Sequence, residues 1–479
     1  EKALSPESNY VCFFPNMNFK NFIFFIAVCC AVYMASILGI GCAQIGTPTG
    51  GPRDSIAPKL LSINPPNRAL NFKGNRITLT FDEYVQLQKL QENLLVSPTP
   101  KIIPNVDYKL RTVTIKIRDT LEPNTTYRLD LGNSIQDINE GNPFKNFSYI
   151  FSTGSYIDSL EFSGNVQLAE TGKTDSTLLV FLYTDPDDSA VLKHKPKYTT
   201  RLDSSGNFIF HNLPGGIYNV YALKDESGQK IYNNNDELFA FSDSTIKVDD
   251  STKSVKLFAY AEEKPKPKSA STSTASSEKK LKYTTSILNS RQDLLTPLTI
   301  EFNRKLKNFD SLKIQLTDTL LNPYNSAIVS IDTTGKKITI ANKWIDNADY
   351  RLIIPKDFAT DTLGVALLKS DTIHFKTKKE GDYGTITINF KNLEKFKNPV
   401  LQFVSNNEVV NSYPLTSAKW SVKLFNPGDY EIRILEDVNK NGIWDHGSYH
   451  LKLQPEKVFS IKQKINIRQD WDNERDIIL

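Results

Sequence analysis

The sequence predicts an all-β protein of tandem β-sandwiches, arranged as a duplicated two-domain unit behind an N-terminal signal peptide. Three observations carry this reading. Apolar and polar residues alternate with period two: Ile77, Leu79 and Phe81 flank Thr78 and Thr80, and Val113, Ile115 and Ile117 flank Thr114 and Lys116. Strands with one buried and one wet face read this way. Turn signals such as SSGN (204–207), LPGG (213–216), TTGK (333–336) and NPGD (426–429) separate the runs. Sustained helical periodicity is nearly absent, with one short helical turn expected within 86–95.

At 479 residues the chain is too long for one ordinary core, and three or four domains of roughly 100–150 residues suit it. Its 58 Lys and Arg against 54 Asp and Glu are interspersed and leave a charge of +4, without the clustered basic face that nucleic acid requires. The cysteines are Cys12, Cys29, Cys30 and Cys42, so everything beyond Cys42 folds without a disulfide, a thiolate nucleophile or a Cys-ligated metal. Histidines 194, 211, 374, 446 and 450 show no HExxH spacing, and no GxSxG, phosphate loop or dinucleotide fingerprint occurs. Adjacent carboxylates such as Asp82-Glu83 point to opposite faces of a strand and cannot clasp one bond. No enzyme, no catalytic residue and no cofactor is expected.

The amino terminus reads as an address. Positions 22–41, FIFFIAVCCAVYMASILGIG, are an unbroken apolar run after Lys20, long enough for an uncleaved membrane helix and also suited to a signal-peptide core. Met17 begins a short basic leader, MNFKNF, with residues 1–16 an upstream extension. Leu38-Gly39-Ile40-Gly41-Cys42 resembles a lipobox, with its leucine one place earlier than usual. Cys42 is therefore the expected lipidation site, through acyl groups such as palmitate, each buried methylene contributing about 0.8 kcal/mol to membrane binding.

The mature chain divides into a lipidated spacer (42–53), a first sandwich (54–154), a second (155–260), a Pro/Ser/Lys linker (261–280), a third sandwich (281–379) and a fourth (380–479). The linker, AEEKPKPKSASTSTASSEKK, lacks large apolar residues and reads as disordered. A flexible coil of that length spans roughly 25 Å, so the two halves are expected to reorient freely.

The halves are copies. ITLTFDEYV (77–85), NTTYRLDLGNSIQDINEGN (124–142) and YIFSTG (149–154) recur in order as LTIEFNRKL (298–306), NADYRLIIPKDFATDTLG (347–364) and IHFKTK (373–378). Tyr127-Arg128-Leu129 then matches Tyr350-Arg351-Leu352, and Asp137 matches Asp361. GGIYNVYALKD (215–225) superposes on PGDYEIRILED (427–437), pairing Gly216 with Gly428, Tyr218 with Tyr430 and Asp225 with Asp437. With its Asp54-to-Pro58 start, Phe-Asp-Glu strand end and closing F-S-T-G, the first module of each pair resembles bacterial Ig-like domains of S-layer and other envelope proteins. The second module, through GNFIFHNLPGGIYNVYALKD (206–225), resembles the carboxypeptidase-regulatory or transthyretin-like β-sandwich. The whole order, covering about nine-tenths of the chain, is similar to Ig-like lipoproteins of Bacteroidota. Such sandwiches are general scaffolds, so the resemblance implies fold and location more than function.

Three groups of candidate sites remain. In DVNKNGIWD, Asp437, Asn439, Asn441 and Asp445 occupy positions 1, 3, 5 and 9 of a calcium loop, with Gly442 at the turn. Ser448 stands where the bidentate Glu belongs, and the same residues suit an ordinary Asx turn. Asp-Ser/Thr-apolar triplets at 158–160, 188–190, 310–312, 361–363 and 371–373, with the related 243–245, resemble O-glycan acceptors of Bacteroidota envelope proteins; turn capping is their other reading. Tyr218, Tyr221, Tyr232, Trp420, Trp444 and Trp471 are either core aromatics or a glycan-binding set. The expected function is a non-enzymatic scaffold for another envelope protein, anchored by lipid to the outer membrane and facing the periplasm. The alternative is a carbohydrate-binding or adhesin accessory lipoprotein with a glycan as partner.

Overall fold

The computed structural model describes residues 19–38, 54–263 and 280–479. Cys42, its lipobox, the spacer 42–53, Met17 and most of the linker lie outside the described residues. Phe19–Leu38 forms a helix whose described side chains, Ile23 to Met34 among them, are exposed. Among the described residues no helix is long and apolar enough to cross a membrane.

From residue 57 onward the described residues form β-sandwiches. In the first, Leu60–Asn64, Arg76–Phe81, Thr112–Lys116 and Asn105–Lys109 form one sheet, and Leu95–Ser97, Thr126–Gly132 and Phe147–Ser152 the other. The period-two reading holds: Ile77, Leu79, Phe81, Val113 and Ile115 are fully buried while the threonines between them are partly exposed. The short helix in 86–95 is Leu90–Asn93. The third sandwich repeats the order, with Tyr283–Thr285, Leu298–Phe302, Lys337–Ala341 and Ile328–Ile331 against Gln315–Thr317, Asp349–Ile354 and Asp371–Thr377.

The second and fourth sandwiches share another topology. Each runs its first strand parallel to its last, Leu160–Leu168 with Val255–Ala259 and Gly384–Lys391 with Asp472–Ile478. The facing sheets are ordered Tyr198–Arg201, Leu179–Tyr183, Gly216–Leu223, Phe239–Phe241 and Glu408–Pro414, Pro399–Ser405, Gly428–Glu436, Lys457–Ile467.

The duplicated anchors make duplicated bonds. The Tyr127 hydroxyl accepts from the Glu122 amide at 2.8 Å, and the Tyr350 hydroxyl from the Ile345 amide at 3.1 Å. Each is a tyrosine returned to the backbone five residues upstream, closing the corner before its strand. Tyr218 donates to the Pro214 carbonyl and Tyr430 to the Asn426 carbonyl, both at 2.9 Å. Thr153 and Thr377 accept from the Thr125 and Ala348 amides at 2.9 and 2.8 Å. A buried hydroxyl needs a partner, and these strands supply it locally.

The expectation that the halves reorient freely is overturned, because the second and fourth sandwiches pack together. Tyr449 of the fourth is 5% exposed and enters an aromatic cluster of the second, its ring centroid 5.1 Å from Phe239 and 5.2 Å from Phe241. Its hydroxyl donates to the Asp188 carbonyl and lies 3.1 Å from the Tyr221 hydroxyl. Glu262 accepts from the Tyr449 amide at 2.8 Å, Gln454 donates to the Phe241 carbonyl at 3.0 Å, and Val458 donates to the Ala169 carbonyl at 3.0 Å. Gly172, at φ 65°, permits the approach: a Cβ there would lie 2.5 Å from the Val458 carbonyl oxygen.

Two predictions follow from these contacts. Tyr350→Phe strands the half-buried Ile345 amide and should lower unfolding stability by about 1 kcal/mol, read by denaturant melts. Tyr449→Ala should cost about 3–5 kcal/mol of the docking of the two halves and speed hydrogen exchange at the Val458 amide, which bonds Ala169 across the junction, with Tyr449→Phe intermediate.

Candidate functional site

The loop at 437–445 closes on its own carboxylates. Asp437 is 2% exposed; one oxygen accepts from the Lys440 and Asn441 amides at 2.6 and 3.2 Å, and the other from the Gly442 amide at 2.7 Å. Asn439 and Asn441 each donate a side-chain amide to Asp445 at 2.7 Å. Glu456, unmarked by sequence reasoning, accepts from the Val438 and Asp445 amides at 2.6 and 3.1 Å. Burial pushes its carboxyl pKa up, and the charges of Asp437 and Asp445 add to the effect. The only sequence signal for Glu456 is an acidic residue beyond the loop, legible once the chain is seen to double back.

The first copy is informative. Asp225, the counterpart of Asp437, accepts from the Lys230 amide at 2.9 Å, also five residues on, although its loop lacks the Asn spacing. Closing the turn is thus common to both copies. To hold a cation, the second would need the Asn439 and Asn441 oxygens turned inward beside Asp437 and Asp445. Among the described residues no group of three or more His, Cys, Asp or Glu is arranged to hold a metal.

The structure does not bring the candidate aromatics together on a surface. Tyr218, Tyr221 and Tyr232 are 2–4% exposed and belong to cores. Trp420 and Trp444 are half-buried, the latter donating to the Glu456 carbonyl at 2.8 Å. Trp471 is exposed, with the Arg468 guanidinium 6.0 Å from its ring. In the triplets, Ser159, Ser244, Thr362 and Thr372 are exposed and Ser189 and Ser311 partly covered. Asp310, Asp361 and Asp371 cap the turns, accepting from the Leu312, Leu363 and Thr372 amides at 3.1, 2.8 and 2.9 Å.

Two concavities open into sandwich cores. A cleft of about 550 Å³ lies between the first and second sandwiches, floored by Val96, Leu129 and Phe151 and rimmed by Asp119, Glu122 and Lys197. A groove of about 410 Å³ opens in the third, lined by Ile314, Leu316, Tyr324 and Ile340. Neither was legible before the strands were paired.

Residues 54–153 match the bacterial Ig-like domain family. The first sandwich, with its Asp54 start, its tyrosine corner and its closing strand Phe147–Ser152, fills that span. No curated protein matches the chain. Among solved structures, native alpha-2-macroglobulin from Escherichia coli (domains MG0-NIE-MG1) is 11% identical over 38% of this chain and 72% of its own, at a TM-score of 0.19. The Bacillus anthracis TIE protein is 10% identical over 90% and 76%, at 0.17. BcpA, the major pilin subunit of Bacillus cereus, is 13% identical over 66% and 99%, also at 0.17. At these values the likenesses carry no argument about function.

Removing the Asp437 carboxylate leaves backbone amides unpaired, so Asp437→Ala should cost about 1–3 kcal/mol. The expected outcome is a lowered melting temperature that added calcium does not restore. A calcium-dependent rise in the melting temperature of the unaltered protein would instead make the loop a cation site.

Proposed function

We propose that this chain is a non-enzymatic lipoprotein of the bacterial cell envelope, held by acyl groups on Cys42 in the outer membrane and facing the periplasm. Its sandwiches serve as a stiff scaffold offering loops and strand edges to another envelope protein. The observation that carries the scaffold reading is the Tyr449 junction, which joins sandwiches from both halves into one body. The bacterial Ig-like match supports the envelope location. The apolar run ending in Gly41-Cys42, with Ala43-Gln44-Ile45-Gly46 following and no acidic residue among them, supports the anchor and its inward orientation. Exposed strand edges suit β-augmentation, in which a partner's segment extends the sheet. The glycan-binding alternative would draw on exposed aromatics, and burial has taken Tyr218, Tyr221 and Tyr232 out of that set.

Cells given an alkyne-bearing palmitate should label the protein and retain it in the membrane fraction. The Cys42→Ala variant should lose the label and leave that fraction. An unmodified Cys42 in a membrane-free protein contradicts the anchor, and micromolar binding of polysaccharide would move the function to the glycan alternative.

A further inference from the structure

The first and third sandwiches share a fold and differ sharply at one end, where the chain enters. Equivalent backbone bonds fix the comparison. The Phe81 and Phe302 amides donate to the Arg111 and Lys336 carbonyls, both at 2.8 Å. The Val85 and Leu306 amides donate to the Leu110 and Gly335 carbonyls at 3.0 and 2.8 Å. Val85 pairs with Asp137, and Leu306 with Asp361. Tyr84, Leu110 and Ile138 of the first sandwich therefore correspond to Lys305, Gly335 and Thr362 of the third. Three apolar side chains stand where the other copy has a cation, a bare backbone and a hydroxyl.

The three form one surface. The Val85 amide joins the Tyr84 segment to Leu110, and the Ile138 amide donates to the Tyr84 carbonyl at 3.2 Å. The Arg111 guanidinium lies over the Tyr84 ring, 5.4 Å from its centroid. Tyr84, Leu110 and Ile138 are 51%, 62% and 49% exposed. Lys59, Lys109 and Arg111 are exposed cations at the margin, and Asp82 and Glu83 are the neighbouring carboxylates. A contiguous apolar patch with a polar rim marks a surface that meets something else.

Leu110 is unfavourable in water on two counts. It sits at φ 54° in the two-residue turn between Asn105–Lys109 and Thr112–Lys116, a left-handed position that suits glycine. The third sandwich uses Gly335 in this place, at φ 69°. A branched apolar side chain here adds backbone strain and gains nothing from the protein interior. An apolar medium outside the protein would offset both.

What lies on that side is set by the chain itself. The Lys59 amide is held by the Asp82 carboxylate at 2.8 Å, so the chain enters the sandwich beside Tyr84. Cys42 precedes Ala57 by only 15 residues. At full stretch such a segment reaches roughly 50 Å. The third sandwich, whose matching end is polar, begins more than 200 residues later.

We propose that this end of the first sandwich rests on the phospholipid bilayer that holds the acyl groups of Cys42. Leu110 and Ile138 enter the acyl boundary, Tyr84 lies at headgroup level, and Lys59, Lys109 and Arg111 face lipid phosphates. The short tether keeps the bilayer at a high effective concentration, so a weak contact is enough to seat the domain. The inference rests on the anchor reading and deepens it, turning a tether into a fixed footing.

The chain purified in detergent and reconstituted into phosphatidylethanolamine–phosphatidylglycerol vesicles tests it. Flotation with the vesicles, together with the palmitate label, reports the anchor. A nitrobenzoxadiazole fluorophore on Lys109→Cys reports the contact, with Thr334→Cys, at the tip of the matching hairpin of the third sandwich, as control. No natural cysteine follows Cys42, and the unaltered chain carried through the same labelling sets the background. The probe at 109 should shift to the blue and be quenched by spin-labelled lipid, and the probe at 334 should do neither. Tyr84→Lys, Leu110→Gly and Ile138→Thr introduced together are residues this fold already carries in the third sandwich. They should leave flotation intact and the melting temperature no lower, and abolish the quenching at 109. A chain that floats while its 109 probe stays in water overturns the proposal and leaves the anchor standing, the patch then belonging to a protein partner. Equal quenching at 109 and 334, or quenching that survives the triple variant, overturns it as well. A chain that does not float, yet whose 109 probe is quenched on addition of vesicles, removes the anchor and supports the contact.

Discussion

A single phenol ring joins the second sandwich to the fourth. Tyr449 is placed by the fourth sandwich and received by the second, with its ring edge-on to Phe239 and Phe241 and its hydroxyl shared between Asp188 and Tyr221. Sandwiches in one chain move relative to one another by default unless their interface is sizeable and apolar. Here the apolar part is the aromatic cluster, and the polar parts at its rim, Glu262, Gln454 and Lys452 with Asp188, pair across it. Because the partners are tethered through one chain, the cost of bringing them together is a loop-closure entropy that grows only slowly with linker length.

The duplication separates what a sandwich requires from what it is free to change. The hydroxyls of Tyr127 and Tyr350, of Tyr218 and Tyr430, and of Thr153 and Thr377 return to equivalent backbone atoms in both copies. Each satisfies a buried polar group that would otherwise cost stability, so the interior permits few alternatives. The exterior has diverged. Asp225 and Asp437 close similar turns, yet only the second has Asn439 and Asn441 within its loop, and Glu122, which pairs with Lys197, has Ile345 at the matching corner of the second copy.

Fold class was legible because burial acts locally on a strand. Ile77 and Phe81 announce their shared face by spacing alone, and the matched order of Tyr127-Arg128-Leu129 and Tyr350-Arg351-Leu352 announces the repeat. Tyr449 was not legible: it lies in HGSYH, a loop without periodicity, and its partners stand more than 180 positions away. The linker gave a true account of its own composition and a false one of its consequence, since freedom of the halves depends on surfaces the linker does not contain. For Tyr218, Tyr221 and Tyr232, residue type alone could not distinguish core from binding face; strand pairing made the first two core, and stacking on Phe239 buried the third. The 437–445 spacing located a real loop, but the direction in which its amides point is a property of three dimensions.

In the second and fourth sandwiches the first and last strands run side by side in the same direction, from Gly164 with Val255 to Leu168 with Ala259, and from Thr385 with Asp472 to Lys391 with Ile478. Tension applied between the two ends of such a module draws these neighbours lengthwise past each other, loading every rung of the ladder at once. Antiparallel neighbours joined by a tight turn would instead peel apart rung by rung. The arrangement gives each module a shear geometry, and so a high resistance to rupture, under traction along the chain.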